Sequence, residues 1–96
     1  MEKLSSEKLR EVGLMLSIAN NLIQQSESIL YKAKLREQSK ELREIENNLF
    51  LLRTGLDSKL ENILIYKELK EMNYKELNNI IFPLHSEIVG KIEKIL

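Results

Sequence analysis

The chain of 96 residues contains no cysteine and no tryptophan. Without thiols there can be no disulfide, no thiolate nucleophile and no zinc-thiolate site. Histidine and aspartate each occur once, as His85 and Asp57. A carboxylate-bridged di-metal centre in a helical bundle needs Glu-x-x-His twice, and the second histidine is missing. The three glycines, Gly13, Gly55 and Gly90, stand apart from one another, so no glycine-rich phosphate loop can be assembled, and no serine lies in a Gly-x-Ser-x-Gly context. Charge of one sign is absent too. Lys plus Arg equals Asp plus Glu at 15 each, which leaves no net field to draw the chain to nucleic acid or an anionic membrane. The longest apolar runs span a handful of residues against the roughly 20 that cross a bilayer, and Met1-Glu2-Lys3-Leu4-Ser5 lacks the apolar stretch of a secretory signal. The expectation is a cytoplasmic protein that is no enzyme, holds no cofactor or metal, and forms one domain over residues 1–96.

What is present is helix-forming sequence with a stepped pattern. Leu9, Val12, Leu16, Ala19, Ile23, Ser26, Leu30 and Ala33 alternate three and four apart, the spacing of a helix face that packs on other helices. A second seam holds Leu42, Ile45, Leu49 and Leu52. The five-residue offset from Glu37, where the first seam would continue, to Leu42 turns the stripe by about 140°. One straight helix cannot aim both seams at one core, so a break is expected near residues 36–40.

Junction chemistry sets further boundaries. Ser5 is a candidate cap, with Leu4 and Leu9 in the staple positions and Glu7 in the first turn. Gly55 suits a helix C-terminus with positive φ, with Leu56 packing back on Leu51 and with Asp57, or Ser58 boxed with Glu61, capping the next helix. Asn73 and Glu76 repeat the box, flanked by Met72 and Leu77. The stripe Leu77, Ile80, Ile81, Leu84, Ile88, Ile92 and Ile95 crosses Pro83, where a kink costing about 3 kcal/mol is expected. Helices over 6–35, 40–54, 58–72 and 74–95 follow. They imply an all-α fold, a small antiparallel four-helix bundle. The alternative is a long two-arm helical hairpin, 6–54 against 57–95, that dimerises.

The faces carry more apolar surface than one such core consumes. Met15, Ile18, Leu22 and Ile29 widen the first stripe, while Phe82, Ser86, Val89 and Gly90 form a second face on the last helix and Phe50 lies off its seam. These five, Phe82, Ser86, Val89, Gly90 and Phe50, are the candidate interface. The sequence therefore points to a protein-interaction module, such as an adaptor, inhibitor or immunity- or antitoxin-like factor, partnered by itself or another protein, with no small-molecule substrate evident. Two rivals rest on single features. The basic group Lys32, Lys34, Arg36, Lys40 and Arg43 could serve nucleic acid, although Glu37, Glu41 and Glu44 interleave it and no aromatic residue stands among them to stack a base. His85 could take part in phosphotransfer, or hold a haem with Met15.

Overall fold

The computed structural model describes residues 2–95, Ile95 through its backbone alone. The first helix, α1, spans Ser6–Lys32. Ser5 caps it, its hydroxyl accepting the Lys8 N–H at 3.2 Å. A carboxylate serves the same terminus: that of Glu68 accepts the Ser6 N–H at 2.8 Å and the Ser6 hydroxyl at 3.2 Å, where the helix dipole favours negative charge. Leu4, rather than acting simply as a staple, pairs through its backbone. Its N–H donates to Ile63 at 2.7 Å and its carbonyl accepts from Ile65 at 3.0 Å, making a parallel bridge to Leu64.

The break between the two seams is real and falls earlier than expected, at residues 33–35 rather than 36–40. Lys34 takes φ 65°. Its N–H donates to Tyr31 and that of Leu35 donates to Leu30, each at 3.0 Å, the paired bonds of a Schellman ending. Helix α2, Arg36–Ser58, then runs antiparallel to α1 and straight through Gly55. The expected stop there is overturned. No glycine has positive φ, and the Ser58 hydroxyl donates to the Gly55 carbonyl at 2.9 Å instead of capping a new helix.

Four short helices close one end of this hairpin: α3, Leu60–Ile63; α4, Tyr66–Glu71; α5, Tyr74–Ile81; and α6, His85–Ile95. The helix expected over 58–72 is thus two, parted at Leu64 and Ile65, because those residues pair with Leu4 and Leu64 is fully buried. Asn73 caps α5 as expected, its side-chain oxygen accepting the Glu76 N–H at 2.8 Å. Instead of kinking one helix, Pro83 separates two. The preceding Phe82 is held out of helical geometry at φ −115°, ψ 79°, as a residue before proline tends to be.

Leu9, Leu60, Ile63, Leu64, Ile80 and Ile81 form the core at this closed end, with Leu56, Leu69, Met72, Leu77 and Phe82 packed around them. Leu16, Ile23, Leu49 and Ile88, the centres of their stripes, are only half-buried. The result is all-helical, with no strand longer than the single bridge among the described residues. It measures 51 × 27 × 21 Å. Neither four matched helices nor two straight arms describe it, since one long hairpin protrudes from a base of short helices.

Candidate interaction surface

Where α1 meets the base, the two backbones touch. A Cβ on Gly13 would strike the Ile80 carbonyl oxygen and lie 2.8 Å from Ile81 Cα. One turn on, the Ser17 hydroxyl donates to the Gly13 carbonyl at 2.8 Å and accepts from Arg53 Nη2 at 2.6 Å. Arg53 is only 7% exposed and no carboxylate pairs with it among the described residues. Its guanidinium lies 4.5 Å from the Phe82 ring centroid, so the cation faces an aromatic ring at the C-cap of α5. Burial pushes its pKa below the ordinary value, yet arginine stays charged at neutral pH. Neither surface cavity reaches Arg53. The cluster locks α2 to α1 and to the α5–α6 corner.

That lock changes the reading of the candidate interface. Phe82 is half-buried against the core and meets Phe50 edge-on, with ring centroids 6.1 Å apart. Val89 is half-buried, whereas Ser86 and Gly90 are exposed. Ser86 and Gly90 line an open groove of about 940 Å³ between α1, α5 and α6, together with Leu14, Pro83 and Leu84. Carboxylates and cations mix along its rim: Glu7, Glu11, Glu76 and Glu87 against Arg10, Lys91 and Lys94. The five residues therefore do not form one continuous patch. Phe50 and Phe82 belong to the corner, and Ser86 and Gly90 to the groove.

His85 opens α6 in an exposed position and Met15 is exposed on α1; neither lines the groove. The basic group clusters at the free tip of the hairpin, with Lys32, Lys34, Arg36, Lys40 and Arg43 all exposed. Arg43 is engaged: its Nη2 donates to Glu27 Oε1 at 2.9 Å, and the Ser39 hydroxyl donates to the same oxygen at 2.8 Å. These two bonds, Arg43 first, hold the Glu27 carboxyl below its ordinary pKa.

The shaft of the hairpin carries a feature that stripe-counting along single helices passed over. No charged residue stands between Glu11 and Glu27 on α1, nor between Glu46 and Arg53 on α2. Cross-helix bonds fix the register, Ser17 with Arg53 and Gln24 with Glu46, so the two uncharged segments lie side by side as a belt. On α2, Phe50, Leu51 and Leu52 are 53%, 65% and 54% exposed, whereas the apolar side chains of the α1 stretch are half-buried apart from Met15 at 60%. The long gap between charges was readable in the sequence, but its meaning required the register that sets one gap against the other.

Each apolar stripe lies about a quarter-turn from the line of cross-helix pairs at roughly 100° per residue. Because both helices are right-handed and antiparallel, the two quarter-turns fall on the same side. Leu16, Ala19, Ile23 and Leu30 of α1 therefore flank Leu42, Ile45, Leu49 and Leu52 of α2 on one face. No helix of the described structure is long and apolar enough to cross a membrane. No family model, curated protein or solved structure matches the chain.

Proposed function

We propose that this chain is a non-enzymatic helical interaction module, of the adaptor, inhibitor or immunity-factor kind, and that it works by burying the uncharged belt of the α1–α2 hairpin against a protein surface. The observation that carries this reading is the exposure of Ile45 and Leu52 on the face that they share with the uncharged stretch of α1. Depletion of charge with retention of large aliphatic side chains is the composition of an interface centre. The base supplies a rigid anchor. Its core holds one end of the hairpin, leaving the shaft free to be covered.

The test compares the wild-type chain with Ile45→Lys and Leu52→Glu in binding measurements, both for self-association and for proteins captured from a host extract. Both residues point away from the core, so helicity and melting should stay within about 0.5 kcal/mol of wild type. Associations should weaken together. If every association of the wild-type chain survives both substitutions, the belt is not the working surface.

A further inference from the structure

We propose that the occupant of the belt is a second copy of this chain, paired face to face and antiparallel, so that the tip of each hairpin lies toward the base of the other. This rests on the reading of the belt as a docking surface and adds what covers it. Area is the first argument. From Met15 to Lys32 the hairpin is about 26 Å long and, with two helices abreast, about 20 Å wide, a projected face of about 500 Å². Side-chain relief raises the accessible area further, toward the ~800 Å² that each partner contributes to a stable interface. A short peptide would leave most of that face wet, whereas another two-helix layer matches it in both dimensions. Two such layers make the cross-section of a four-helix bundle, whose packing the three-and-four spacing of both stripes suits.

Charge selects the direction. Between residues 32 and 40 the tip holds Lys32, Lys34, Arg36 and Lys40 against the single carboxylate of Glu37, and all five are exposed. Parallel pairing would bring two such tips together and set like charges against each other. Antiparallel pairing about a two-fold axis separates them, and places the uncharged stretch of α1 on its own copy. Near that axis, midway between Met15 and Lys32, Ile23 would approach the same residue of the partner copy. An isologous contact of this kind closes after two chains, so it predicts a dimer and not a filament.

The experiment is the solution mass of the full chain, with two shaft variants and an engineered cross-link. The wild-type chain should sediment at twice 11.3 kDa. Leu52→Glu and Ile45→Lys, on the shared face but outside the core, should each weaken the dimer at least tenfold with helical circular dichroism unchanged. Ile23→Cys, in a chain with no other thiol, should give a covalent dimer under mild oxidation. A monomer at high micromolar concentration overturns the second copy; belt-dependent capture of a different protein would then still uphold the docking surface itself. A dimer indifferent to both shaft variants places the contact elsewhere and overturns the proposal. A dimer lost in both variants that never cross-links through Ile23→Cys overturns the antiparallel arrangement.

Discussion

At Gly13 the missing side chain is what lets α5 reach the backbone of α1, because a methyl group there would meet the Ile80 carbonyl and Ile81 Cα. At Gly55 nothing lies within 4 Å of the same position, and the residue sits inside α2 with ordinary helical geometry. Identical substitutions should therefore act in opposite directions. Gly55→Ala should stabilise by about 0.5–1 kcal/mol through helix propensity. Gly13→Ala gains the same propensity but must force α5 away, a backbone obstruction that should destabilise by about 1–3 kcal/mol net. Urea denaturation of the two variants beside wild type reads both signs. Equal effects would show that α1 and α5 are not in contact at Gly13. The cost would spread beyond the glycine, since Ser17 and Arg53 take their positions from the same crossing.

Elements whose ends are decided by neighbours three or four residues away were legible in the sequence. The caps at Ser5 and Asn73 are of this kind, each a single oxygen accepting an N–H three residues on. Two boundaries were legible only in part or not at all: the phase jump between the seams pointed to a break near residues 36–40, but not to its place. The chain reverses at Lys34, where a lysine takes the conformation that glycine usually supplies, and composition gives no sign of it; what specifies the turn is the pair of bonds back to Leu30 and Tyr31. A left-handed lysine costs about 1–2 kcal/mol relative to a right-handed one. Lys34→Gly should accordingly raise stability by about 1 kcal/mol without moving the turn, as a shift in the thermal midpoint would show; a loss of stability would mean that the lysine side chain contributes more than its backbone strain costs. Leu64 and Ile65 were unreadable for a different reason. Their local pattern is helical, and only Leu4, some sixty residues earlier, pulls them into extended geometry. Arg53 belongs with them, for its partners are serine and phenylalanine side chains from two other elements.

For the whole molecule, the hairpin and the base obey different rules. Leu60, Ile63, Leu64, Ile80 and Ile81 of the base are buried by their own chain, whereas the shaft has its stripes half-covered at best. What joins the two regions at the N-terminus is the Leu4 bridge together with the Glu68 carboxylate at the start of α1. Glu68→Gln removes the negative charge from that helix terminus and weakens both bonds to Ser6, so it should destabilise by about 0.5–2 kcal/mol. Hydrogen exchange should quicken in the first turn of α1 while α2 keeps its protection; uniform exchange through the chain would refute this local role. The same contact has a consequence in time. The reversal at Lys34 needs only neighbouring residues, so α1 and α2 can begin to pair as soon as both have left the ribosome. The start of α1 must wait for Glu68, and then for α5 and α6, before its partners exist. During that interval Leu9 and Leu56, which the base covers in the finished fold, stand exposed, which makes the nascent chain most prone to premature association before its final third emerges.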